Sequence, residues 1–337
     1  MKIAIATDAW HPQISGVVTT LTQTIQELHN LGHDVNSIHP GNFKFTLPCP
    51  TYPQIRLALS PRKTLRRVLE RFQPDAIHIV TEGPIGYACR QYCCENRLNF
   101  TTAFTTRFDE YISMRFFIPS RFIFGLLRWF HAAAARVMIS SVPLKEELEC
   151  RGFKNTVVWP RGVDTDLFRM RDKSFLSDPG PTFLYVGRVA IEKNIEAFLE
   201  LDLPGTQYVV GDGPALDKLR AAYPRVRFVG AKQGIDLARY YAAADVFVFP
   251  SRTDTFGIVM LEAMACGVPV AAYPVRGPID IVQPGETGCL SDNLQDAALK
   301  ALTIDPANCR KFALQFSWKK SAQHFIENLV PVESARI

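Results

Sequence analysis

Two carboxylates, Asp254 and Glu262, flank a loop that leads into a helix. The stretch from Pro250 to Val270 reads PSRTDTFGIVMLEAMACGVPV. An apolar strand over Val246 to Phe249 ends at Pro250 and Ser251, and a polar loop from Arg252 to Thr255 follows. A helix is predicted to start near Gly257 and to stop at Gly267, with Pro269 just beyond. The amino end of a helix attracts anions, because its first N–H groups lack partners and its dipole is positive there. Glu262 lies about five residues inside that helix, about 7–8 Å along its axis, and its side chain tilts back toward the amino end. The stretch can therefore offer phosphate-binding amides between two hydroxyl acceptors. A nucleotide diphosphate sugar, with hydroxyls at both ends and phosphate in the middle, suits that layout.

A second constellation points the same way. Val186-Gly187-Arg188 ends a predicted strand, and Glu192-Lys193-Asn194 follows. Two cations at a strand's carboxyl end can hold a diphosphate, and the Arg fork adds bidentate bonds to phosphate oxygens. Gly211-Asp212-Gly213-Pro214 follows another strand, but Leu216 stands where a dinucleotide fingerprint needs its third glycine.

Elements that alternate along the chain must position these groups. In the amino half, strands are expected at Lys2–Thr7, Asp34–Ile38, Asp75–Val80, Phe100–Phe104, Val137–Ile139 and Thr156–Val158. Helices are expected between them at Val17–Leu31, Arg62–Phe72, Pro84–Asn96, Ser120–Ala135 and Leu144–Arg151. The carboxyl half repeats the pattern from Thr182 to Leu290. Such alternation predicts an α/β chain with doubly wound parallel sheets, whose ligands lie outside the strands' carboxyl ends. Loop formers cluster near 160–180. One domain is expected over 1–165 and a second over 166–310, with a tail helix over 311–337.

The stretch from Asp254 to Glu262, with Phe256, Gly257, Ala263, Gly267 and Pro269, resembles the E-x7-E motif of family 4 of the retaining glycosyltransferases. Gly187-Arg188 with Lys193-Asn194 is similar to that family's diphosphate pair. The resemblance covers nearly the whole chain, is strongest from Gly187 to Pro274 and weakest from Asn42 to Ser60, and extends to mannosyl-, glucosyl- and sulfoquinovosyl-type members. It implies the GT-B fold, two Rossmann-like domains facing a central cleft, with the tail helix crossing back onto the amino domain. It also implies transfer of a hexose from a UDP- or GDP-sugar to a glycolipid or saccharide acceptor, with retention and with neither metal nor cofactor. Arg188, Lys193 and Asp254 become the expected catalytic residues. Gly16, Gly211, Asp212, Thr255, Phe256, Gly257, Ile258 and Glu262 are expected to bind the donor. His11, Thr105 and Arg107 are expected on the acceptor side. The family carries His where Thr105 stands, and Asp254 is one methylene shorter than the usual Glu. That departure at Thr105 keeps a non-catalytic nucleotide-sugar-binding protein as the alternative.

Composition narrows the remaining classes. The chain has 337 residues, 47% hydrophobic and 21% charged, an ordinary globular balance. No apolar run approaches the roughly 18 residues of a membrane span. The net charge of +5 is mild, and nucleic acid is not an expected partner. The eight cysteines form no Cys-x2-Cys pair, which suits reduced thiols in a cytoplasmic enzyme. Asp164-Thr165-Asp166 has a metal-like spacing but also reads as a turn and helix cap. The segment 111–130 mixes aromatics with Arg115, Arg121 and Arg128, and Arg62, Lys63, Arg66 and Arg67 form a second basic cluster. Two readings of the aromatic segment stay open, a helix packed in the core and a peripheral contact at the inner membrane face.

Overall fold

The computed structural model describes residues 1–13, 15–49, 52–105, 119–254 and 256–333. The chain divides into two units, Met1–Arg161 with Trp318–Ile337, and Gly162–Ser317. The boundary falls at 161/162 where 165/166 was expected, and the return to the first unit begins at 318 where 311 was expected.

Among the described residues, eight strands lie in the first unit: β1 (Lys2–Ala6), β2 (Asp34–Ile38), β3 (Thr46–Cys49), β4 (Tyr52–Ala58), β5 (Ala76–Ile79), β6 (Thr101–Phe104), β7 (Arg136–Ile139) and β8 (Thr156–Val158). Six of them form a parallel sheet in the order β2-β1-β5-β6-β7-β8. Successive residues of a strand face opposite sides, so one core takes Ala4, Ala6, Ile77 and Ile79, and the other takes Ile3, Ile5, Ala76 and Val80. Burial on both faces explains why these strands read as continuous apolar runs.

β3 and β4 pair antiparallel outside that sheet. No strand is expected there from sequence, because Pro48 and Pro53 interrupt both runs. The tail also differs from the single helix expected over 311–337. It forms two helices, Pro306–Ala313 and Trp318–Asn328, which bury their apolar sides in different units. Phe325 of the second is fully buried, its ring 5.0 Å from that of Trp159 and 4.9 Å from that of His78.

The second unit holds β9 (Thr182–Val186), β10 (Thr206–Val210), β11 (Arg227–Gly230), β12 (Val246–Phe249), β13 (Val270–Ala272) and β14 (Gly288–Leu290). They form one parallel sheet in the order β11-β10-β9-β12-β13-β14, the doubly wound order of dinucleotide-binding folds. The order reverses between β9 and β12, and ligands of such sheets bind at that switch point. Arg188 follows β9, Gly211 and Asp212 follow β10, and Ser251 to Asp254 follow β12.

Candidate active site

The site is built where β12 turns into the helix Ile258–Ala265. Gly257, with φ +84°, takes the left-handed turn before the helix. A Cβ there would lie 2.6 Å from Met260 Cε, the mobile end of a side chain, and 3.2 Å from Phe249 Cζ, so it is the backbone conformation that favours glycine. Gly267, with φ +77°, closes the helix, as expected.

Glu262 sits in this apolar helix and is only 9% exposed. Its Oε2 accepts a 2.9 Å hydrogen bond from the Tyr241 hydroxyl. Burial pushes the carboxyl up to about 7, and the Tyr241 bond opposes the rise. Tyr241 is itself fully buried, and burial followed by the neighbouring Glu262 charge raises its phenol well above the ordinary range. Tyr241 belongs to a different helix, Gly234–Ala243, so sequence spacing alone did not reveal this partner.

Lys193 and Asp254 meet at the other side of the loop. Lys193 Nζ lies 2.5 Å from Asp254 Oδ1, and both side chains are largely buried. Asp254 Oδ2 is also buried and has no hydrogen-bond partner among the described residues. Asn194 adopts φ +51° and donates from its side-chain amide to the Pro250 carbonyl at 3.0 Å. Thr253 Oγ1 donates to the Glu192 carbonyl at 3.4 Å. Residues 192–194 and 250–254, sixty positions apart, thus form one polar cluster at the switch point.

The turns after β9 and β10 join the same region. Gly187 N donates to the Val210 carbonyl, and Val189 N to the Asp212 carbonyl, each at 3.0 Å. A Cβ on Gly211 would lie 1.8 Å from the Gly187 carbonyl oxygen, so only glycine permits this approach. Asp212 Oδ1 accepts from the Gly213 amide at 2.7 Å. Tyr185 donates its hydroxyl to the Arg188 carbonyl at 2.7 Å, which orients the turn carrying the half-buried Arg188. Phe256 and Ile258 are buried against the helix start. The Ser251 hydroxyl, not singled out from sequence, is buried and has no partner among the described residues.

The expected acceptor-side residues belong to the first unit, as does Gly16, which was expected to bind the donor. Gly16 is the first residue of the helix Gly16–Asn30, which Ser15 caps by accepting from the Val18 amide. His11 is exposed, with Nε2 3.3 Å from Thr22 Oγ1. Thr105 follows β6 and is half-buried. The expectations for Thr255 and Arg107 lie outside the described residues. Asp164 Oδ1 accepts from the amides of Asp166, at 3.1 Å, and Leu167, at 2.9 Å, which is the turn-and-cap geometry. Among the described residues, no group of three or more His, Cys, Asp or Glu is arranged to hold a metal ion. No helix among them is long and apolar enough to cross a membrane.

Comparison with known proteins agrees with this geometry. The family model described as Glycosyltransferase Family 4 matches residues 14–167, and that described as Glycosyl transferases group 1 matches residues 180–304. The chain is 32% identical over 322 residues to a GDP-mannose-dependent alpha-mannosyltransferase of Mycolicibacterium smegmatis, covering 87% of this chain and 84% of that protein. It is 25% identical over 368 residues to an alpha-monoglucosyldiacylglycerol synthase of Streptococcus pneumoniae, covering 96% and 83%. Among solved structures, sucrose-phosphate synthase from Thermosynechococcus elongatus superimposes with a TM-score of 0.77 at 23% identity, over 97% of each chain. The architecture is the expected GT-B fold of two Rossmann-like parallel-sheet units. The chain belongs to glycosyltransferase family 4, and it is a glycosyltransferase.

Proposed function

We propose that this enzyme moves a hexose from a UDP- or GDP-sugar to a glycolipid or saccharide hydroxyl, with retention of anomeric configuration and without a metal ion or cofactor. The observation that carries this reading is the Lys193–Asp254 pair at the switch point, with a buried Asp254 oxygen still to be satisfied. Relatives named as a GDP-mannose-dependent transferase and a diacylglycerol glycoside synthase favour an enzyme over a binding protein and supply the substrate classes.

In this reading the second unit holds the donor. Arg188 and Lys193 contact the diphosphate, joined by the amides at the start of Ile258–Ala265. Glu262 accepts from the ribose hydroxyls, and Asp254 Oδ2 accepts from a sugar hydroxyl. Gly211, Asp212, Thr255, Phe256, Gly257 and Ile258 line the nucleotide. His11, Thr105 and Arg107 face the acceptor.

The bond from the sugar's anomeric carbon to the diphosphate breaks, and negative charge grows on the leaving phosphate. Arg188 and Lys193 stabilise that charge where it develops. The acceptor oxygen then bonds to the anomeric carbon on the same face, and its proton passes to the leaving phosphate oxygen. Thr105 need not supply the proton relay that the family's His suggests. Thr105→Ala should therefore retain turnover within about two- to ten-fold, the loss of one neutral hydrogen bond. A Thr105→Ala enzyme as inactive as Arg188→Ala would overturn this scheme. The donor can be identified by thermal shift with UDP, GDP and ADP, then with their sugars. The anomeric proton coupling of the product then reports retention, and an inverted product would rule it out.

We also place the enzyme peripherally at the inner membrane face. The helix Ser120–Ala132 packs Ile123, Phe124, Leu127 and Phe130 inward. Its other side is apolar too, with Phe122, Leu126 and Trp129 exposed by 61%, 62% and 47%. A helix that is apolar on the side away from its core needs a second apolar or interfacial surface. Arg121 and Arg128 are exposed on the same helix, and Arg90 stacks 4.0 Å above the Trp129 ring. Replacing Phe122, Leu126 and Trp129 together by Ser should abolish co-sedimentation with phosphatidylglycerol-containing vesicles. Unchanged co-sedimentation would rule this surface out.

A further inference from the structure

The first unit contains a buried polar chain that the donor site does not use. His131, at the end of the helix Ser120–Ala132, is fully buried. Its Nδ1 lies 2.9 Å from Thr102 Oγ1 on β6, and its Nε2 lies 3.0 Å from Glu82 Oε1. The rings of Phe104, Phe130 and Phe153 surround the imidazole at centroid distances of 6.0, 5.2 and 5.6 Å. The imidazole is thus held by packing and by a bond at each nitrogen. The Glu82 side chain is 9% exposed, yet its second oxygen, Oε2, is buried without a hydrogen-bond partner among the described residues.

The backbone carrying Glu82 is pinned from the other side. Asp8, just after β1, accepts from the Thr81 hydroxyl at 2.9 Å and from the amides of Ile85 and Gly86 at 2.9 and 3.2 Å. A Cβ on Gly83 would sit 2.5 Å from the Asp8 carboxylate, and one on Gly86 would sit 1.8 Å from the Thr81 carbonyl oxygen. The turn 81–86 therefore has one close-fitting course, and Glu82 is presented by it. A buried acceptor left without a donor is costly. A structure that fixes both ends of Glu82 while leaving Oε2 unused is organised for an incoming donor.

The placement says what that donor belongs to. β5 and β6 are parallel neighbours with Ile79 opposite Thr102. Glu82 and Thr105 each lie three residues beyond that pair, at the carboxyl ends where such sheets bind ligands. The loop after β1, the other neighbour of β5, carries Gln13, whose Oε1 is likewise buried and unpartnered among the described residues.

We infer that Glu82 Oε2 accepts a hydrogen bond from a hydroxyl of the glycosyl acceptor, with His131 and Thr102 as its positioning residues, so that the acceptor is a polyol with a free hydroxyl at this position. An ionised phosphate at that position would offer acceptors only and could not donate to this oxygen. The inference rests on the transferase reading above.

The test separates the two. Donor affinity and slow donor hydrolysis, both measured without acceptor, report the second unit; the acceptor KM reports Glu82. Glu82→Met, which keeps the length and removes both oxygens, should raise the acceptor KM about ten- to hundred-fold. Donor affinity and hydrolysis should stay at wild-type values. Glu82→Gln, which retains one oxygen, should recover part of the loss, a graded response that a merely structural residue would not give. If Glu82→Met does not fold, Glu82→Gln alone decides, with a rise of several-fold expected. An unchanged acceptor KM in a folded variant that still hydrolyses donor overturns the inference. A wild type that neither binds nor hydrolyses any nucleotide sugar overturns the transferase reading instead.

Discussion

Arg188→Ala should lower kcat by about 10²- to 10³-fold, the cost typical of removing one preorganised donor to developing negative charge. The donor KM should move much less. The diphosphate carries more charge on its leaving oxygen in the transition state than in the bound donor, so the guanidinium binds the transition state better. Lys193→Ala should share this pattern with an added effect, because it strips Asp254 of its 2.5 Å partner and leaves both carboxylate oxygens unsatisfied. Steady-state kinetics on both variants, with folding checked by thermal melting, read the split. Two variants that raise only KM would mean that these cations merely hold the donor.

Glu262→Ala should weaken donor binding by about ten- to hundred-fold, through loss of charge-assisted bonds to the ribose. The same residue makes binding depend on pH. Burial raises its carboxyl to about 7 in the folded protein, from an ordinary value of 4.5. Because the folded value is the higher one, the group's contribution to stability is greatest at acid pH and is lost as pH rises from about 4.5 toward 7. Ribose hydroxyls donate to the carboxylate and so favour its ionised form. Donor affinity should therefore climb between about pH 5 and 7 and level off above. A nucleotide sugar has no terminal phosphate monoester, the group that titrates near pH 6, so the slope reports Glu262. Calorimetric titration should show this slope in the wild type and none in Glu262→Gln. A wild-type affinity that is flat over that range would remove Glu262 from the ribose.

The legible parts of this molecule are those in which chemistry follows local spacing. Gly257 and Gly267 bound the helix where the sequence places them, because left-handed turns there favour glycine. The parallel strands were visible as apolar runs, since both faces of each sheet are covered. Contacts between distant segments were not visible. Nothing in a helical tyrosine marks Tyr241 as the partner of Glu262, 21 positions away. Asp8 reads as a loop residue after the first strand, yet it secures the turn that presents Glu82. His131 reads as one more residue of an aromatic helix, and only the tertiary fold sets it between Thr102 and Glu82. The β3–β4 pair escaped because prolines obscure short antiparallel strands whose partner is each other.

The central claim is that the cluster of Arg188, Lys193, Asp254 and Glu262 drives hexose departure from a nucleotide diphosphate without a metal. Its most direct measurement is turnover of the identified nucleotide sugar in EDTA, by the wild type and by Arg188→Ala side by side. The account predicts undiminished wild-type transfer in the chelator and near-complete loss in the variant. Wild-type turnover that vanishes in EDTA and returns with Mn2+ or Mg2+ would contradict it, as would a wild type that binds the donor yet neither transfers nor hydrolyses it.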